Sequence, residues 1–133
     1  MHYLVLYLSI LVPFVVLDGL WLSTMANILY KPTLGDILLP SVKLAPAIAF
    51  YLIFPLGLMI FAVPPGFRAA SVVPALMYGA AFGALAYATY DLTNLATIRN
   101  WTLQIAVLDI AWGAFISAVA AASGYWVTKA TVG

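Results

Sequence analysis

The motif Leu-Asp-x-x-Trp occurs twice, at residues 17–21 and 108–112, and each copy lies inside an otherwise apolar stretch. A carboxylate near the middle of a bilayer costs roughly 2.5–3.5 kcal/mol on insertion scales, so it normally faces a partner or a cavity and signals function. A third aspartate, Asp91, ends another apolar run. In each motif acid and indole stand at i and i+3, which puts them on one helical face about 60° apart. Carboxylates neutralise cations and indole faces attract them. Carboxyl groups held out of water also suit proton transfer. The chemistry available to these residues is therefore proton handling, cation binding or acid–base work.

Elements able to hold such residues are membrane helices. Of the 133 residues, 66% are hydrophobic and only 7% charged, which excludes a soluble domain with a charged surface. Residues 44–67, 69–90 and 110–128 carry no charge. Each run is close to the ~20 residues that a spanning helix needs. The sequence thus predicts an all-α polytopic membrane protein, a single domain over residues 1–133 with helices near 3–25, 42–63, 70–97 and 102–127. These form an antiparallel four-helix bundle with both termini on one side. The first span lacks the basic n-region of a signal peptide and is too long for its apolar segment, so it is read as a mature helix. There is no cysteine, hence no disulfide, thiolate nucleophile or cysteine-based metal site. A net charge of +1 without a basic cluster argues against nucleic acid as a partner.

The connections differ in length. Residues 26–41, with Pro32, Gly35, Asp36 and Pro40, read either as an ordinary interfacial loop or as a lid over a cavity. Pro64-Pro65-Gly66 predicts a tight turn, since proline stops a helix and glycine permits the reversal. Arg99-Asn100-Trp101 is too short for anything but antiparallel neighbours. Basic residues do not fix the orientation: Arg68 and Lys129 face one side, Lys31, Lys43 and Arg99 the other, and a Lys43 committed to a site would leave a tie.

Threaded this way, Asp18, Asp91 and Asp109 each stand about seven residues, or roughly 10 Å, from the same membrane face. Two stripes of small residues lead to that layer: Ala75, Gly79 and Gly83, continuing to Tyr87 and Asp91, and Asp109, Gly113, Ser117 and Ala121. Small residues let membrane helices approach closely, so helices 3 and 4 are expected to pack through these stripes. Three ionised acids so close would repel, and at least one is expected to carry its proton near neutral pH. The expected proton- or ligand-binding set is Asp18, Trp21, Lys43, Tyr51, Tyr87, Asp91, Asn94, Asp109 and Trp112. No metal signature, nucleotide loop or catalytic Ser/His pair is present, so catalytic residues and cofactors stay unassigned. Trp101 and Trp126 read as interfacial anchors.

Leu17-Asp18-x-x-Trp21, Tyr30 with Gly35, Phe50-Tyr51-Leu52, the segment Tyr87 to Thr97 with its YDLTNLAT core, Trp101 and Asp109-x-x-Trp112-Gly113 resemble a family of small bacterial membrane proteins known only as a domain of unknown function. The resemblance covers nearly the whole chain. It implies a four-helix, multi-pass protein of the bacterial inner membrane and no particular activity. Three functions fit the residues. The first is an intramembrane binding site for a proton, a cation or an amphipathic small molecule. The second is an accessory structural subunit, with the acids hydrogen-bonded as glue. The third is an acid–base enzyme acting on a lipid or isoprenoid. Expected partners are membrane lipids, with a larger membrane complex or a homo-oligomer as further options.

Overall fold

The computed structural model describes residues 2–35 and 43–132, and among these no strand forms. The chain enters as α1 (His2–Met25), passes through a π-helical turn (Ala26–Tyr30), and continues as the short α2 (Lys31–Leu34). Then follow α3 (Leu44–Phe61), the short α4 (Pro64–Ala69), α5 (Val72–Thr97) and α6 (Leu103–Val132). These make four stretches long and apolar enough to cross a membrane: Tyr3–Leu34, Leu44–Ala69, Val72–Thr97 and Leu103–Thr131. The protein is an all-α, four-helix membrane protein.

Contacts fix the directions. Gly79 lies against Ser117 and Ala121, Gly83 against Gly113 and Ser117, and Tyr87 against Gly113, so α5 and α6 are antiparallel. Gly124 meets Leu6 and Ile10 of α1 while Trp112 meets Asp18, so α1 and α6 are antiparallel too. A Cβ added at Gly79 would stand 2.8 Å from the Ser117 carbonyl oxygen. That is backbone-to-backbone packing, which only the small-residue stripe permits. Ile10, Phe14, Leu58, Val63, Ala75, Ile116 and Ala120 are fully enclosed at the centre. Outward-facing residues such as Val12, Ile53, Met77, Leu85 and Phe115 present an apolar surface, as lipid requires.

Two expectations about the connections need correction. Residues 26–34 are helical, not a loop, because Leu29 and Leu34 bury against Ile105 with Met25, Tyr30 and Trp101 around them. Pro32 accounts for the local widening. Its ring would clash with the carbonyl four residues back, and the helix instead takes an i to i−5 bond, Lys31 N–H donating to Ala26 O. Residues 36–42, the remainder of the expected loop or lid, lie outside the described residues. Pro64-Pro65-Gly66 begins a helical turn rather than making the reversal, since proline fits a first helical turn where no N–H is needed. The reversal falls at Ala70, in the left-handed region at φ 52°, with its N–H donating to Gly66 O and Phe67 O. Ser71 then caps α5, accepting from Val73 N–H at 3.1 Å. Thr102 does the same for α6, accepting from Ile105 N–H at 3.1 Å.

Candidate intramembrane binding site

The two Leu-Asp-x-x-Trp motifs meet face to face. Trp21 and Trp112 stack with ring centroids 4.5 Å apart and planes 7° from parallel. Antiparallel α1 and α6 bring the two copies together at one depth, and each indole then reaches toward the other copy's acid. Trp112 Nε1 donates to Asp18 Oδ1 at 3.1 Å. Trp21 Nε1 donates to the Tyr30 hydroxyl at 3.1 Å, and that hydroxyl donates to Asp109 Oδ1 at 3.2 Å. The π-helical turn sets Tyr30 at the right angle for this relay, an example of such a turn placed at a polar site.

The acids differ in how they are held. Asp18, nearly buried, accepts on both oxygens: Tyr51 donates to Oδ2 at 2.5 Å and Trp112 to Oδ1. Asp109, half-buried, accepts one hydrogen bond among the described residues. Asp91 is fully enclosed, and neither of its oxygens finds a hydrogen-bond partner among the described residues. Its polar neighbours are Asp109 and the indole of Trp101, whose Nε1 is also buried and unpartnered. The acids share a layer but not a point. Asp109 and Asp91 adjoin, whereas Asp18 is held by Tyr51 and Trp112, and Tyr87 lies near both Asp18 and Asp109. No three His, Cys, Asp or Glu side chains among the described residues come close enough together to share a metal ion.

Beside this network lies a cavity of about 460 Å³. Its wall contains two of the acids, Asp18 and Asp109, and five aromatic rings, those of Trp21, Phe50, Tyr51, Tyr87 and Tyr90. Leu22, Ala47 and Ala86 complete it. The rings are braced from behind: Phe14 contacts Phe50 and Tyr51, and Phe54 packs edge-on against Tyr87 at 6.0 Å.

Of the residues singled out from the sequence, Asp18, Trp21, Tyr51, Tyr87 and Asp109 line the cavity. Trp112 backs it through the stack and its bond to Asp18. Asp91 sits behind Asp109, outside the lining. Asn94 is half-buried and also outside it. Lys43 precedes α3 with an exposed side chain and is not part of the wall. Trp126 is exposed, as an anchor would be, but Trp101 turns inward onto Leu29, Leu34 and Ile105 and meets Tyr90 edge-on at 5.5 Å. Tyr30, present above only within the family resemblance, is not among the expected binding residues because a loop over residues 26–41 gives it no fixed face. Leu29 and Leu34, apolar residues that both bury on Ile105, mark the inward side of the helical segment that does.

Residues 3–126 match the family described as "Predicted membrane protein (DUF2177)". The chain belongs to that family. No curated protein and no solved structure matches it. The family's description carries the membrane assignment and no activity, so for this DUF2177 member the chemistry must be read from the cavity and the acids around it.

Proposed function

We propose that the protein is an intramembrane binding protein whose cavity takes an amphipathic small molecule or cation beside Asp18 and Asp109. One observation carries this reading: a cavity of about 460 Å³ combines aromatic walls with two carboxyl groups. That volume is in the range of small-molecule pockets, roughly 300–1,000 Å³, and a few polar groups in an apolar wall are what orient a ligand there. The resemblance carried by residues 87–97 supports a bacterial inner membrane as its location. Asp18 favours the structural reading for itself alone. Both its oxygens are occupied by Tyr51 and Trp112, so it fixes the wall rather than contacting a ligand.

The test is a panel of bromo-aromatic probes, cationic, neutral and anionic, titrated into the protein in an uncharged maltoside detergent. Bromine quenches indole fluorescence at short range, and Trp21 lines the cavity. At least one probe should quench saturably, and Ala47→Phe, which puts a ring into the cavity, should abolish the saturable part while leaving the helical circular dichroism unchanged. If no probe quenches saturably, or if Ala47→Phe quenches like the parent, the cavity is not a binding site.

A further inference from the structure

We infer that the ligand of this cavity is one monovalent organic cation with an apolar body, such as a quaternary ammonium, with Asp109 as its counter-anion. The inference rests on the binding reading above and narrows it to a chemical class. Four observations lead there.

The first concerns charge. Among the described residues the wall holds carboxyl groups and no basic side chain, and all five lysines and arginines of the chain are exposed. No basic side chain among the described residues reaches inside the bundle to neutralise the acids, so a ligand of opposite sign is the complementary one. The second concerns which acid is free. Asp18 is occupied on both oxygens, whereas Asp109 accepts a single 3.2 Å bond, on Oδ1, and lines the cavity. Asp109 is thus the carboxyl group of the wall with an oxygen left over for a ligand, and a single such group pairs directly with a single cationic head.

The third concerns the wall. Five aromatic rings line the wall, and the face of such a ring attracts a cation within about 6 Å of its centroid. The wall's oxygens are two carboxyl groups and three tyrosine hydroxyls spread among these rings, whereas calcium takes six or more oxygen ligands in one shell and magnesium a near-octahedral set. Consistently, no acid cluster among the described residues is tight enough to hold a metal. The fourth is size: about 460 Å³ is far more than a bare ion fills and accommodates an alkyl or aryl body. An anion or a doubly charged solute would have no matching group, while a neutral solute would leave Asp109 desolvated beside it.

The experiment compares benzyltrimethylammonium with neopentylbenzene, its neutral isostere, and with benzenesulfonate, each competing with the quenching probe in maltoside. The expected result is that the cation binds at least about tenfold tighter than the isostere, on the scale of a desolvated cation–π contact together with an ion pair. Asp109→Asn should remove that preference while the isostere still binds; Asp109→Glu should restore it. The comparison on the parent protein needs no variant, so a misfolded Asp109→Asn cannot rescue the proposal. Equal affinity for cation and isostere, or tighter binding of the sulfonate, overturns the cation assignment and leaves the cavity reading standing. Failure of all three to compete with a saturably quenching probe overturns the cation assignment, and absence of saturable quenching by any bromo-aromatic probe overturns both. Phosphatidylcholine that displaces benzyltrimethylammonium assigns the cation to a lipid headgroup, and failure to displace it assigns a free solute; both outcomes retain the class.

Discussion

Three glycines placed differently in the bundle turn the packing into a measurable series. At Gly83 an added Cβ would collide with the backbone oxygen of Gly113 and with Ser117, whose own Cβ would be 2.6 Å away. Those atoms belong to a helix axis and its first side-chain carbon, so no rotamer change relieves the clash. The α5–α6 pair must separate, loosening Gly79 from Ala121 one turn along. Overpacking of this kind costs about 1–3 kcal/mol, and alanine's better helix propensity returns at most about 1 kcal/mol. Gly83→Ala should therefore destabilise by about 1–2 kcal/mol. Gly19 is the control: it is helical, with nothing within 4 Å of a built Cβ, so Gly19→Ala should stabilise by about 0.5–1 kcal/mol. Gly57 is intermediate, because its obstruction is the tip of the Phe82 ring at 2.7 Å, which can swing aside. The predicted order is Gly19→Ala, Gly57→Ala, Gly83→Ala, with about 2–3 kcal/mol across the series. Reversible unfolding in mixed detergent, followed by indole fluorescence and extrapolated linearly, resolves differences of that size. Gly83→Ala as stable as the parent would mean that α5 and α6 do not touch through this stripe, and the path from stripe to acid layer would be lost.

Two further changes probe the polar layer and the turn. Tyr51→Phe deletes the donor to Asp18 Oδ2 and leaves a buried acceptor unpaired, so a loss of about 1–3 kcal/mol is expected in the same unfolding assay. No loss would show that water replaces the hydroxyl there. Ala70→Gly should stabilise by about 1 kcal/mol, because Ala70 is held in the left-handed region at φ 52°, where only glycine has no Cβ penalty. Destabilisation by this change would place the reversal elsewhere than between α4 and α5.

What the sequence disclosed and what it hid follow one physical rule. Features that repeat with the period of a helix were legible. Ala75, Gly79 and Gly83 opposite Gly113, Ser117 and Ala121 could be paired from spacing alone, because small residues at four-residue intervals serve close approach. The shared depth of the three aspartates followed from helix rise and charge-free run length. Features that break the period were not. Pro32 widens a helix into a π turn instead of ending it, and Pro64-Pro65 starts a turn instead of reversing the chain. In both cases the residue's prohibition, a missing N–H, is satisfied by position, and position depends on tertiary contacts such as Leu29 and Leu34 on Ile105. Lys43 has the depth and the charge for the site, but a long side chain at a helix start is free to turn outward, and it is exposed there, outside the cavity wall.

The twin motifs show why residue type and spacing do not by themselves assign a role. Two equal Asp-x-x-Trp units at equal depth on antiparallel helices are related locally by a two-fold axis perpendicular to them, passing between the stacked indoles. Whatever one copy does toward the other is returned, and the N–H of each indole indeed leads to the opposite acid. From the motifs alone, Asp18 and Asp109 would be equivalent. Their surroundings break the symmetry. On one side α3 supplies Tyr51 at 2.5 Å, and Asp18 becomes a saturated brace. On the other side the link runs through Tyr30 at 3.2 Å, and α5 adds a second acid, Asp91, where another donor was needed. An under-bonded carboxylate at the rim of an aromatic cavity is costly to keep without a ligand of opposite charge. The same motif thus yields one acid bonded on both oxygens and one bonded on a single oxygen, and the difference lies in the helices that pack against them.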